Sequence, residues 1–199
     1  MRILQKSFYN RNTLQVAQDL LGCFLVRKNP HPRPLPHSSR RGRGESTLKC
    51  RIVETEAYNG PRDLASHASR GRTARNSVMF GQPGIIYVYF TYGMHYMLNI
   101  VTERKDYPAA VLIRAVEPCQ GRAITSGPAR LTKALQIDKS FNGLPIYVKK
   151  YGLWIEGGDE KLKNSQIKKA TRVGVDYAGK YKDKKWRFYI KGNKFISKK

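Results

Sequence analysis

The chain is short of acid. Its 199 residues hold 14 Asp and Glu against 38 Lys and Arg, a formal net charge of +24. That imbalance predicts a polyanionic partner, of which nucleic acid is the commonest. It argues against a salt-adapted surface, which is usually acidic rather than basic. Cysteine is scarce as well. Cys23, Cys50 and Cys119 are an odd number without CxxC spacing, so buried free thiols in a reducing compartment are expected and a thiolate metal cage is not. The four histidines, His31, His37, His67 and His95, form no metal-ligand pattern. MRILQKSFYN lacks the apolar core and cleavage site of a signal peptide. No apolar run reaches membrane-spanning length, and no internal repeat is visible. What remains is 40% apolar composition, enough at this length for one domain, residues 1–199, with a real core.

Short elements follow one another along the chain. RNTLQVAQDLLG has helical spacing of Leu14, Ala17, Leu20 and Leu21, with Asn12 or Thr13 as cap and Gly22 as stop. CFLVRK and CRIVETEAY read as strands. PGIIYVYFTYG and HYMLNIVTE read as a hairpin broken at Gly93, PAAVLIRAVEP as a further strand, and LWIEG and KWRFYIKG as two more. SGPARLTKALQI starts a helix with Pro128 in its first turn. Residues 28–49 form a Pro/Arg-rich surface loop with Arg40, Arg41 and Arg43 clustered. The count favours an α+β fold, a mixed domain around an antiparallel or mixed sheet. Residues 161–199 carry 14 Lys and Arg against Asp176 and Asp183. With Trp186, Phe188 and Tyr189 interleaved, this reads as a folded basic face.

Acid is conspicuous in RIVETEAYNGPRDLASH, where Glu54 and Glu56 sit in a strand-like run. Strict alternation puts Cys50, Ile52, Glu54, Glu56 and Tyr58 on one face. The two carboxylates then stand roughly 6.6 Å apart, twice the strand rise. That separation imitates the acid and base of inverting sugar hydrolases, but parallel side chains do not flank a substrate. One working carboxylate and one structural carboxylate paired with an arginine is the better reading. His67 returns toward the same strand end, and Tyr87, Tyr89, Tyr92 and Tyr96 follow within ten residues. Alternation places Tyr87 and Tyr89 together. Aromatic walls, a carboxylate and a polycation are what an enzyme acting on an extruded nucleobase needs.

The ordered blocks RIVETEAYNGPRDLASHASRGRTARNSVMF, PGIIYVYFTYGMHYMLNIVT, AAVLIRAVEP, SGPARLTKALQIDKSF and RVGVDYAG resemble the alkyladenine (3-methyladenine) DNA glycosylase family from about residue 5 to residue 192. The resemblance implies a curved antiparallel sheet with peripheral helices, no metal and no cofactor. It implies Glu56 as the general base that aims water at the sugar C1′, with Arg114 holding that water and the local backbone. Tyr58 and His67 match one wall of the base pocket and Tyr89 the opposite wall. Asn99 matches the position that disfavours guanine, and Tyr92 the residue inserted into the duplex. Arg70, Arg72, Arg75 and Met94 are candidate DNA contacts, and His95 a weak pocket-edge one. No lysine occupies the matched catalytic position, so water rather than an amine is the expected nucleophile.

The implied partner is double-stranded DNA containing damaged purines, bound by a monomer away from any membrane. The compartment would be the cytoplasm or nucleoid of a bacterium, or the nucleus of a eukaryote. Two departures stand out: the 28–49 insertion, and a connection of only EPCQGRAIT before SGPARL. They leave a second reading open, a non-catalytic basic nucleic-acid-binding module on the same fold.

Overall fold

The computed structural model describes residues 1–28, 47–91, 93–118 and 125–198. Most of the Pro/Arg-rich loop, Tyr92 and most of the short 119–125 connection lie outside the described residues. The elements are α1 (Lys6–Tyr9), α2 (Thr13–Asp19), β1 (Phe24–Lys28), β2 (Thr47–Asn59), β3 (Ile86–Thr91), β4 (His95–Val101), β5 (Ala109–Val116), α3 (Pro128–Ala134), β6 (Leu153–Glu156), β7 (Ile167–Ala170) and β8 (Arg187–Ile190). The strands form one eight-stranded sheet in the order β3-β4-β5-β2-β1-β6, with β8 on β2 and β7 on β8. The named strand pairs are antiparallel. This is the expected α+β architecture of a sheet with few, peripheral helices.

β2 is the axis of the sheet. Its first half pairs with β1 and its second half lies between β5 and β8. The β1–β2 ladder reaches Lys28 opposite Thr47. Lys28 and Thr47–Lys49 are therefore strand rather than part of the loop expected at 28–49. The Asn12 side chain caps α2 by accepting from the Leu14 and Gln15 amides, so α2 begins where the sequence signalled. α2 buries Val16 and Ala17 in the core, where they join Leu25, Ile52 and Ile113. α3 starts with Pro128 at its first turn behind Gly127, at φ 134°, and buries Leu131. β7 was not legible in advance. Its IKKA sequence has two exposed lysines and only partly buried apolar ends, too little alternation to separate it from a lysine run.

One correction concerns β2. Register slips between Ile52 and Glu54 and again between Glu54 and Thr55. Val53 is the extra residue on β2, and Arg114 the extra one on β5. The two bulges cancel, so pairing resumes in the original frame. Side-chain alternation shifts at the slip. Leu48, Cys50 and Ile52 face the core before it, and Ala57 after it. Thr55 Oγ1 donates to the Ala17 carbonyl of α2 at 2.7 Å. Cys50 and Ile52 therefore do not share a face with Glu54, Glu56 and Tyr58. Bulges of this kind re-aim side chains beside active sites.

A second correction concerns the thiols. Cys23 is free and buried, but Cys50 is disulfide-bonded.

The Pro83-Gly84 turn that opens β3 needs its glycine. Gly84 has φ +79°, and a Cβ there would meet Tyr147 Cδ1 at 2.7 Å and the buried Tyr9 ring at 3.0 Å. Gly84→Ala is expected to lower stability by about 1–3 kcal/mol through crowding and a disfavoured φ. A urea unfolding midpoint measures this, and an unchanged midpoint would show that the turn relaxes.

Candidate active site

The bulged centre of β2 buries two carboxylates side by side. Glu54 and Glu56 are both 0% exposed. Arg114 from β5 and Arg187 from β8 neutralise them, themselves only 7% and 4% exposed. Arg187 Nη1 donates to Glu54 Oε1 at 2.8 Å, and the Ser197 amide donates to Glu54 Oε2 at 2.5 Å. Glu54 is the arginine-paired structural carboxylate of the sequence reading. Its partner, Arg187, was hidden because it stands 133 residues away in a lysine-rich stretch of the chain.

Glu56 is held differently. Tyr58 Oη donates to its Oε2 at 3.0 Å, and the Val173 amide donates to Oε1 at 2.8 Å. Arg114 Nη1 stands 3.3 Å from the same Oε1. A carboxylate offers about four lone-pair positions, so these three contacts leave about one. Burial pushes the Glu56 carboxyl above the usual carboxylate range. Arg114, the Val173 amide and the Tyr58 hydroxyl oppose that rise, in that order, and the neighbouring Glu54 adds to it. Burial also raises Tyr58 well above the ordinary phenol value, with Glu56 contributing. Tyr58 is therefore a protonated donor at neutral pH.

In front of this cluster lies a cavity of about 310 Å³, in the size range of small-ligand sites. Tyr58, His67, Tyr89, Asn99 and Arg114 all line it, as do Tyr87, Val173 and Tyr177. Glu56 sits behind this lining, bonded to two of its members. His67 Nδ1 is 3.1 Å from Tyr87 Oη. Partial burial and the Arg75 guanidinium depress the His67 pKa, while burial pushes Tyr87 up to about 12. The His67 and Tyr89 rings meet edge to face with centroids 4.5 Å apart. Stacking a base between them requires one ring to turn. Asn99 is 3% exposed, and its amide donates to the Tyr87 and Met97 carbonyls. These two bonds lock the side chain against the β3–β4 ladder.

A second buried ion pair supports the Tyr58 wall. Arg172 and Asp63 have fully buried side chains. The guanidinium bonds both Asp63 oxygens, at 2.5 and 2.8 Å, and also donates to the Ala57 and Tyr181 carbonyls. Its plane lies 4.9 Å from the Tyr58 ring centroid and 5.0 Å from that of Trp186. Asp63 also accepts from the Asn59 and Ala65 amides, which ties the turn after β2 to the pocket rim. Sequence reasoning gave no role to Asp63, Arg172, Val173 or Tyr177. Three of them lie in or beside the RVGVDYAG block, and that placement was the available signal.

The proposed DNA contacts lie on the outside. Arg70, Arg72 and Arg75 are exposed. Arg72 lies over the Phe80 ring, while Arg75 lies 5.6 Å from the Tyr89 centroid and donates to the Phe90 carbonyl. Met94 is 69% exposed at the β3–β4 tip, next to Phe90 at 47%. Tyr92, the expected wedge, is outside the described residues, and His95 is half-buried. Among the described residues no group of three His, Cys, Asp or Glu is arranged to hold a metal ion. No helix there is long and apolar enough to cross a membrane.

Fold and site together set an aromatic-lined cavity in front of a buried, arginine-held carboxylate. The family model of methylpurine-DNA glycosylases (MPG) matches residues 7–194. Relatives extend over the whole length, each carrying a provisional name of 3-methyladenine DNA glycosylase. One from Methanocella arvoryzae is 45% identical over 213 aligned positions, covering 100% of this chain and 98% of its own. One from Carboxydothermus hydrogenoformans is 45% identical, covering 99% and 100%. One from Clostridium perfringens is 39% identical, covering 98% and 99%. The chain belongs to the methylpurine-DNA glycosylase family, whose members are hydrolytic N-glycosylases.

Removing Asp63 would strand the buried Arg172 charge. Asp63→Ala is expected to cost about 3–5 kcal/mol, read as a lowered denaturant midpoint. A cost below about 1 kcal/mol, the range of exposed pairs, would mean the pair is not sealed from water.

Proposed function

We propose that this chain is a monofunctional DNA glycosylase that excises damaged purines from duplex DNA and leaves an abasic site. The substrates are 3-methyladenine, 7-methylguanine, hypoxanthine and ethenoadenine-type bases. The observation that carries the reading is the Glu56 carboxylate. It is wholly buried, and three donors fix it behind an aromatic cavity.

Breaking an N-glycosidic bond builds positive charge on the sugar. An ionised Glu56 would stabilise that charge and take a proton from the attacking water through its remaining lone pair. General base catalysis supplies roughly 10²–10⁴-fold, and the leaving group supplies much of the rest. A purine alkylated at N3 or N7 is already cationic and stacks well on tyrosine faces. Tyr58, Tyr87 and Tyr89 offer such faces in the cavity lining. Asn99, locked by its two carbonyl bonds, is rigid enough to reject the exocyclic 2-amino group of guanine. Turning the Tyr89 ring away from His67 would open a stacking slot. Flipping costs a few kcal/mol and less for a damaged pair. Tyr92 would offset part of this as a wedge at the hairpin tip. Arg70, Arg72, Arg75 and the lysine-rich surface would hold phosphates without reading sequence.

Two measurements test this. Glu56→Gln is expected to abolish release of hypoxanthine and 3-methyladenine from duplex DNA while lesion binding survives. Unchanged release would remove Glu56 from the reaction, and wild-type inactivity on every alkylated or deaminated purine would end the proposal. The acid side of the pH–rate profile gives the second. Ionised Glu56 is the active form and its pKa is raised, so rate falls as pH drops through a value above the ordinary carboxylate range. Tyr58→Phe deletes a bond that favours the ionised form, so it should move this limb to higher pH. A limb that stays put would show that the bond does not tune Glu56.

A further inference from the structure

We propose that Ser197 is a positioning residue for the hydrolytic step, bridging Arg114 to Glu54 and so keeping the guanidinium aimed at Glu56. The inference rests on the reading of Glu56 as the base. It adds a residue that neither motif nor cavity lining pointed to.

The segment after β8 turns back across the sheet. Asn193 Nδ2 donates to Glu117 Oε1 at 2.8 Å, and the Phe195 amide donates to Asn193 Oδ1 at 2.9 Å. This delivers Ser197 into the buried charge cluster. Its amide binds Glu54 Oε2, and its Oγ accepts from Arg114 Nε at 3.2 Å and Nη2 at 3.1 Å. The adjoining Lys198 carbonyl accepts from Arg187 Nη1 at 2.8 Å. One short segment therefore touches three of the four charges.

The need for such a bridge follows from the geometry. Arg114 lies between two carboxylates, with Nη1 3.3 Å from Glu56 and Nε 3.5 Å from Glu54. In a low-dielectric interior a guanidinium turns toward whichever carboxylate has free lone pairs. Ser197 removes that choice in two ways. Its amide and Arg187 put one donor on each Glu54 oxygen, and its hydroxyl gives Nε and Nη2 a neutral acceptor close at hand. Nη1 is then left for Glu56.

The charged and titratable groups around Glu56 are few. They are Arg114 from β5, Glu54 and Tyr58 on its own strand, and Tyr89 from β3. Arg187 from β8 acts through Glu54, and Arg172 lies against the Tyr58 ring. Among them Arg114 is the largest influence favouring the ionised carboxylate. A guanidinium that swings toward Glu54 therefore raises the proton affinity of Glu56.

The test compares wild type, Ser197→Ala, Ser197→Thr and Glu56→Gln. Single-turnover hypoxanthine release from duplex DNA is followed across pH, with lesion affinity and Tm measured alongside. Ser197→Ala is expected to leave affinity unchanged and raise the acid limb by roughly one pH unit, so that release below it slows about tenfold. Ser197→Thr, which keeps the hydroxyl, should restore both. An NMR titration of the Glu56 carboxyl carbon gives the same readout without turnover, and applies equally if Ser197→Ala lowers Tm. A raised Glu56 titration in Ser197→Ala supports the bridge. An unshifted titration overturns it, even where rate and Tm both fall, because a merely structural serine would not move Glu56. Full activity in Glu56→Gln would instead sink the base assignment, an outcome separable from the behaviour of Ser197.

Discussion

Two carboxylates buried side by side on one strand stay ionised only where cations neutralise them, and that constraint organises this molecule. Each ion removed from water costs several kcal/mol unless paired and hydrogen-bonded. Glu54 and Glu56 therefore dictate what stands on either side of β2. Arg114 must come from β5 on one flank and Arg187 from β8 on the other. The placement of β8, far along the chain yet paired to Glu54–Glu56, is in this sense electrostatic. The matched bulges at Val53 and Arg114 belong to the same solution, since they accompany the shift of side-chain alternation that puts both carboxylates opposite the apolar core.

The bulges also mark where sequence reasoning lost its grip. Period-two alternation grouped Cys50 and Ile52 with the glutamates, because a strand read in isolation has no reason to slip. A bulge is decided by the partner strand, and no local signal in RIVETEAY announces one. The expected pairing of one glutamate with an arginine is found at Glu54. A polycationic chain has little reason to bury acid, so one structural and one exceptional carboxylate followed from chemical economy rather than geometry. The helix starts at Asn12 and Pro128 were legible because start signals are local. The hairpin of β3 and β4 was legible because Gly93 breaks a clear apolar pattern.

The basic tail shows the opposite failure. Counted as charge, the 14 cations of residues 161–199 read as one surface for phosphates. Two of them face inward. Arg172 holds Asp63 and backs the Tyr58 wall, and Arg187 neutralises Glu54. Composition cannot distinguish a solvated lysine from a buried arginine. Residue type gives a hint, because the planar guanidinium suits buried pairing and stacking far better than an ammonium does. Both buried cations are arginines, and they are the only arginines in that stretch.

This separation reconciles a charge of +24 with chemistry on a cationic purine. A field of that sign draws in a polyanion and repels a positively charged base. Near the pocket the sign is cancelled locally: Glu54 and Glu56 offset Arg187 and Arg114, and Asp63 offsets Arg172. The cavity wall beside those neutral clusters carries Tyr58, Tyr87, Tyr89 and Tyr177, and a tyrosine attracts a cation through its ring face without adding charge. Outside, Arg70, Arg72 and Arg75 keep their exposure. The scarcity of acid and the concentration of acid on β2 are thus one arrangement. The few carboxylates of a basic chain are not all spent on its surface: Glu54 and Glu56 are buried side by side, each held by an arginine.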